Sequence, residues 1–201
     1  MKKDFKKTKF EIRRKTLHIL VGLFFIFVIG LDLINAMQIF LILVFGVFLS
    51  LMSRHYDIPF IKEMLLMFDR KEDLEKLPGQ GAIFFVFGVL LTYKLFDKDL
   101  ALASIWVLTF SDSIASILRT YYNERKDLYK KRLFGNVIGA IISWLGASIF
   151  IGPVYGLFAA IGGSVAEYLE WEINKNSVND NFIIPLAAAT TVIIVRKIFN
   201  I

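Results

Sequence analysis

Asp112 sits inside the stretch LALASIWVLTFSDSIASIL, residues 100–118, where it is the only charge. A carboxylate at the centre of a bilayer costs roughly 2.5–3.5 kcal/mol even on the lenient insertion scale. Such a group normally faces a protein interior or a wet cavity, and it marks function by default. Other polar residues border the remaining apolar segments. Glu11, Lys15 and His18 lead into the first, and Pro78-Gly79-Gln80-Gly81 into the third. Ser111, Asp112, Ser113 and Ser116 lie in the fourth. Lys131, Arg132, Gly135 and Asn136 lead into the fifth, Glu167 and Glu170 end the sixth, and Asn179, Asp180 and Asn181 lead into the seventh. Acids, cations and glycines together suit phosphate chemistry. Carboxylates hold Mg²⁺, usually one or two per ion. Lys and Arg neutralise phosphate oxygens, and phosphoryl transfer depends mostly on positioning and charge stabilisation. No GxxxxGK[ST], HEXXH or GxSxG motif is present, nor the HRD/DFG pair of protein kinases. Residue types alone leave two readings: a membrane enzyme acting on a lipid phosphate or nucleotide, or a transporter using Asp112 as an ion site.

The elements that position these residues are apolar segments at about 16–31, 33–52, 81–96, 100–118, 133–151, 153–169 and 182–195. Measured against about 20 residues per crossing, they predict an all-α polytopic membrane protein with about seven transmembrane helices. The hydrophobic share of 56% and mean hydropathy of +0.60 agree. The first two segments meet at Asp32 with almost no linker, which predicts a tight helical hairpin. Pro185 near the start of the seventh predicts a broken or irregular helix there. Apolar residues at Ile58, Ile61, Met64, Leu65 and Phe68 predict an interfacial amphipathic helix near 57–77, or a soluble helix packed on the bundle.

Charge sets the orientation. Eight of the 24 Lys and Arg fall in residues 2–15, five in the loop 53–80, six in 119–132 and one in 170–181. Only four, Lys94, Lys98, Arg196 and Lys197, lie on the other side. The N-terminus is therefore expected in the cytoplasm. Residues 1–15 read as a basic cytoplasmic segment facing anionic headgroups, not nucleic acid, and 16–201 as a single transmembrane helical domain. The polar residues named above then gather on the cytoplasmic side. The chain has no Cys, which excludes disulfides and Cys-based zinc sites. At 100° per residue, Glu11, Lys15, His18 and Gly22 share a helix face, and Asp112, Ser116 and Arg119 share a second. Gly156, Ala160, Gly163, Glu167 and Glu170 share a third. Gly135, Gly139, Ser143 and Ala147 recur every four residues, as close-packed membrane helices require.

Four stretches in order resemble the CTP-dependent lipid-alcohol kinases, the family of dolichol kinase, phytol kinase and the fungal CTP-using diacylglycerol kinase. Glu11-Ile-Arg-Arg-Lys15-Thr-Leu-His18 with Gly22 is similar to the family's E-x-x-R-K-x-x-H opening. Ser111-Asp112-Ser113-Ile-Ala115-Ser116 is similar to its D-A-x-A-S segment. Lys131-Arg132-Leu-Phe-Gly135-Asn136 with Gly139 is similar to its K-[ST]-x-E-G-S-x-x-G loop. Glu167, then Asn179-Asp180-Asn181-Phe182 with Pro185-Leu186, is similar to its acidic residue followed by D-D-N-[LF]-x-[IV]-P-L. Phe134 and Asn136 replace that loop's acid and serine, Asn179 replaces a carboxylate, and Ser113 stands where the family tends to have alanine. The resemblance implies a multi-pass enzyme with a cytoplasm-facing site, a membrane lipid alcohol as acceptor, CTP as donor and Mg²⁺ as cofactor. It implies no particular oligomeric state. Asp112, Asp180 and Glu167 would be metal or phosphate ligands, with Asp112, Glu167 and His18 the catalytic set. Glu167 would be a second metal ligand or the base for the lipid hydroxyl, and His18 a general base or a hydrogen-bonded structural histidine. Lys131 and Arg132 would clamp the triphosphate with the backbone around Gly135 and Asn136. Ser116, Lys15, Asn179 and Asn181 would complete the nucleotide site. A lipid-phosphate cytidylyltransferase would need similar parts and would release pyrophosphate instead.

Overall fold

The protein is represented by a computed structural model that describes residues 2–70, 74, 77–121, 128–169, 172–173, 176–177 and 179–199. Long apolar runs with few Pro or Gly breaks fold as helices: α1 (Lys2–Gly30), α2 (Ala36–Ser53), α3 (Pro59–Phe68), α4 (Gln80–Leu95), α5 (Lys98–Tyr121), α6 (Leu128–Tyr168) and α7 (Asp180–Phe199). A two-residue antiparallel ladder, β1 (Glu172–Ile173) with β2 (Asn176–Ser177), is the non-helical exception among the described residues.

The turn expected at Asp32 forms, but α1 and α2 do not pack closely on one another, so the tight helical hairpin does not. Asp32 takes φ 55°, a left-handed conformation that Asp tolerates better than most side chains. Asn35 then caps α2 reciprocally with Gln38, at 3.0 and 2.9 Å. Gly152, at φ 79° and ψ 162°, breaks α6 into two limbs just before Pro153, as the sequence predicts. Among the described residues, four helices are long and apolar enough to cross a membrane: α2, α5, α6 and α7; α4, at 16 residues, is a shorter apolar helix. The chain is an integral membrane protein.

Of the amphipathic helix expected near 57–77, the described residues are helical over Pro59–Phe68 and at Leu74, whose N–H bonds the Arg70 carbonyl at 3.0 Å; the chain is extended at Asp69, whose carboxylate accepts the Gly79 N–H at 2.6 Å. Another expectation needs correction: α7 is not broken at Pro185. Proline lacks the N–H that would bond the carbonyl four residues earlier, which here belongs to Asn181. That carbonyl faces Gly88 of α4, so close that a Cβ on Gly88 would lie 2.2 Å from it. α4 thus packs directly on the carbonyl that Pro185 leaves without a helical partner, and α7 stays continuous through it. Replacing Gly88 with Val is expected to lower stability by about 1–3 kcal/mol, because the obstructing atom is backbone. Gly46→Ala, where nothing lies within 4 Å, is the matched neutral control. Thermal unfolding in detergent checks both.

α5 is the central helix. Leu100, Ala101, Ala103, Ile105, Val107 and Leu108 are all buried. α1, α4, α6 and α7 surround it, and α2 packs only on α4 among its close helix neighbours. Glycines set the tightest crossings. A Cβ on Gly22 of α1 would lie 2.1 Å from Thr109, and one on Gly139 of α6 2.8 Å from the Ser111 carbonyl. At the end of the bundle marked by the Asp32 turn, Lys98 pairs with Asp32 at 2.6 Å and Arg196 with Asp97 at 3.8 Å. Arg196 also covers the Tyr155 ring.

Candidate functional site

At the opposite end, the start of α1, the end of α5 and both ends of α6 converge. The α1 stripe expected from the sequence faces α5. Lys15 on it forms a buried ion pair with Asp112. His18, one turn further along, puts Nε2 3.9 Å from the same carboxylate oxygen. That Nε2 is buried with no hydrogen-bond partner, and the ring rests edge-on against Phe85 of α4 at 4.6 Å. An isolated buried charge is strongly unfavourable, so Lys15 and Asp112 compensate one another.

Glu167, at the end of α6, carries a second buried charge; its side chain is 2% exposed. Arg119 Nη2 bonds its Oε1 at 2.6 Å, and Ser111 Oγ donates to its Oε2 at 3.0 Å. Ser111 and Ser164 share a further hydrogen bond of 3.2 Å. Arg119 Nε also bonds the Ala115 carbonyl at 3.2 Å, which fixes the guanidinium along α5. Ser111 and Asp112, adjacent on α5, hold Glu167 and Lys15 respectively, and Arg119 reaches Glu167 from two turns further along the same helix.

A third cluster lies further out. Arg14 bonds the Glu11 carboxylate at 2.8 Å, and Arg70, just beyond α3, approaches its other oxygen at 3.6 Å. Burial pushes the Glu11 carboxyl up, but the Arg14 guanidinium and, further off, Arg70 outweigh it and hold the group below its ordinary value.

The other expected site residues fall into three groups. Asn136 is buried, and neither end of its amide has a partner; the hydroxyls of Ser113 and Ser143 are likewise buried and unpaired. Gly135 packs where a Cβ would lie 3.0 Å from the Ala115 carbonyl, so close helix packing already accounts for it. Ser116 is half-buried one turn beyond Asp112. At the start of α7, the Asn179 side chain accepts the Asn181 N–H at 3.1 Å as a helix cap, and the Asn181 amide bonds the Gly81 carbonyl of α4 at 2.9 Å. Asp180 occupies the first turn of α7, where an acid suits the helix dipole. Lys131 and Arg132 lie in the first turn of α6, and their side chains fall outside the described residues, as does Glu170.

Among the described residues, no three His, Cys, Asp or Glu side chains gather tightly enough to hold a metal ion, so Asp112, Asp180 and Glu167 do not form one ready-made cage. Mg²⁺ does not require one: it is commonly held by one or two carboxylates, with substrate phosphates and water completing the shell. Of the described carboxylates at this end, Asp112 and Glu167 are buried; Lys15 holds the first, and Arg119 and Ser111 hold the second, so a cation would take the place of one of these partners. Sequence reasoning gave no role to Ser164 or Arg70 and left Arg119 as a stripe member only. The available signals were that Arg119 follows Asp112 by seven residues and Ser164 precedes Glu167 by three, both same-face spacings.

Set against known proteins, the chain is 28% identical to an uncharacterised protein of Methanocaldococcus jannaschii over 186 residues, 89% of this chain and 91% of that one. It is 23% identical to CTP-dependent diacylglycerol kinase 1 of Saccharomyces cerevisiae over 225 residues, 96% of this chain and 76% of the yeast protein. No family model matches the chain, and no solved structure does.

Proposed function

We propose that this protein is a membrane kinase that transfers the γ-phosphoryl group of a nucleotide, CTP by preference, to the hydroxyl of a long-chain isoprenoid or glycerolipid alcohol. The observation that carries the reading is the convergence of the buried Lys15–Asp112 pair and the part-buried Arg119–Glu167 pair at one end of an apolar helical bundle. Fixed charges in a dry site are what a reaction driven by electrostatic stabilisation needs. Similarity to a protein named as a CTP-dependent diacylglycerol kinase supports the donor and the acceptor class.

In this reading the chain crosses the membrane seven times with its N-terminus in the cytoplasm, so the polar end faces the nucleotide pool. The acceptor oxygen attacks the γ-phosphorus, the bond from that phosphorus to the β,γ-bridging oxygen breaks, and the nucleoside diphosphate leaves. The hydroxyl proton passes to the Glu167 carboxylate or to His18 Nε2. Arg119 and Ser111 hold Glu167 in place for that step. Lys15, Lys131 and Arg132 neutralise the triphosphate, and Ser116, Asn136, Asn179, Asp180 and Asn181 shape the wall around it. Asp112 would hold Mg²⁺, joined by Glu167 where His18 is the proton acceptor, and the ion when bound would neutralise charge on the phosphate oxygens.

Purified protein incubated with Mg²⁺, γ-labelled CTP or ATP and a panel of lipid alcohols and lipid monophosphates tests the proposal. Label in lipid from the alcohols supports the kinase, label in pyrophosphate with the monophosphates makes the protein a cytidylyltransferase, and label in neither product favours transport or a lost activity. Lys131→Ala is expected to raise the KM for nucleotide about tenfold or more with a smaller change in kcat; an unchanged KM would remove Lys131 from the triphosphate site.

A further inference from the structure

We propose that the hydrocarbon chain of the acceptor reaches the site sideways, through the seam between α1 and α4, and that Phe85 and Phe25 select which chains fit. This rests on the kinase reading above and identifies the route of its lipid.

The interfaces around Asp112 differ in how they could open. α1 meets α5 through Gly22, with Thr109 where a side chain would begin, and α5 meets α6 through Gly135 and Gly139 pressed on backbone carbonyls. α4 meets α7 through Gly88 on the Asn181 carbonyl. Separating any of these means pulling helix backbones apart. The seam between α1 and α4 is built otherwise. α1 packs on α5 and α3, while α4 packs on α2, α5 and α7, and neither makes comparable helix packing with the other. Rings span the gap instead: His18 against Phe85 at 4.6 Å, and Phe85 against Phe25 at 6.3 Å. A gap closed by rings opens by side-chain rotation and leaves the helices in place. α1 and α2, although joined by the Asp32 turn, also lack close packing against one another, so the seam is not sealed from the lipid by a closed hairpin.

The chemistry along the seam identifies its occupant. Leu20, Phe24 and Phe27, turned away from His18 and Phe25 on α1, are apolar and exposed at 59%, 54% and 61%, so the helix that borders the seam lies against lipid. The middle of the seam is the Phe25–Phe85 pair, and its inner end is His18, whose buried, unpartnered Nε2 stands beside Asp112. A molecule with a long apolar chain and one terminal hydroxyl matches that order: chain among the rings, hydroxyl at the imidazole. A triphosphate does not pass an aromatic wall, and a helix from a second copy would bring no hydroxyl to His18.

The full-length protein in lipid nanodiscs, with a long-chain alcohol bearing a diazirine along its chain, provides the test. Mapping the labelled peptides is expected to place the cross-links on α1 and α4 around Phe25 and Phe85, and excess unlabelled alcohol should remove most of them. Cross-links confined to α2 or the outer faces of α6 and α7 would overturn the proposal. So would seam labelling that phospholipid removes as well as alcohol does, which would make the seam a boundary-lipid site. Phe85→Leu, and Phe85→Trp if the smaller side chain unfolds the protein, should change the acceptor KM or the preferred chain by several-fold while the nucleotide KM holds; no change in either acceptor property would sink the selectivity claim. Labelling reads binding without turnover. Seam cross-links in a protein that makes no lipid phosphate would therefore end the kinase reading alone, and turnover with cross-links elsewhere would end the seam alone.

Discussion

Asp112→Asn is expected to lower the rate of phosphoryl transfer by about 10²–10³-fold or more, the usual effect of removing one preorganised electrostatic group from a dry site. The same change leaves the Lys15 ammonium buried without its carboxylate. Breaking a buried pair by removing one partner costs about 3–5 kcal/mol, whereas replacing both partners with apolar groups of similar size is often neutral. Loss of activity in the single variant could therefore come from unfolding. The double variant Lys15→Met, Asp112→Asn removes the pair as a unit and separates unfolding from loss of the charged site. It should recover most of the thermal stability, because no lone charge remains, and none of the activity. Recovery of both would reduce Asp112 to a structural counter-ion for Lys15. Unfolding curves and initial rates on the same detergent preparations decide between them.

The second large effect is expected at Glu167. Glu167→Gln should cost about 10²–10⁴-fold in kcat if this carboxylate accepts the hydroxyl proton, the usual range for a general base. Arg119→Met should be milder for chemistry and harsher for folding. It leaves the Glu167 carboxylate buried with Ser111 as its remaining donor, and a lost hydrogen bond to a charged group costs about 1.5–3 kcal/mol. A double-mutant cycle across Arg119 and Glu167 should give a coupling energy above about 1 kcal/mol, since the two are in direct contact. Additive losses would place the guanidinium elsewhere. Glu167→Gln with near-normal kcat would pass the base role to His18, and His18→Gln would then carry the larger loss.

The elements were largely legible in the chain because the signals behind them are local. Apolar runs of membrane length became helices, the turn at Asp32 and the break at Gly152 fell where the sequence places them, and Lys15, His18 and Gly22 faced the bundle from one stripe. Pro185 lies inside a continuous helix, and the Asn181 carbonyl it leaves without a helical partner packs on Gly88 of α4, a contact between distant parts of the chain that no local pattern encodes. The same limit governs the site. Spacing puts Asp112 and Arg119 on one face of α5, but whether that face meets Lys15, Glu167 or lipid depends on how each helix is rotated against its neighbours. Glycine contacts such as Gly22 on Thr109 and Gly139 on Ser111 set those rotations, and no periodicity within a single helix encodes them. Gly135 shows the reverse ambiguity: phosphate cradle and close packing ask for the same residue, and its place against the Ala115 carbonyl satisfies the packing demand outright.

The central claim is that the end of the bundle holding Lys15, Asp112, Arg119 and Glu167 moves a γ-phosphoryl group onto a lipid hydroxyl. The most direct measurement is transfer from γ-labelled CTP to lipid alcohol by the wild-type protein and by the stability-matched Lys15→Met, Asp112→Asn variant, in the same Mg²⁺-containing detergent mixture. The account predicts labelled lipid phosphate from the wild type and at least a hundredfold less from the folded variant. Equal labelling by both proteins, or label released by the wild type only as pyrophosphate, would contradict it.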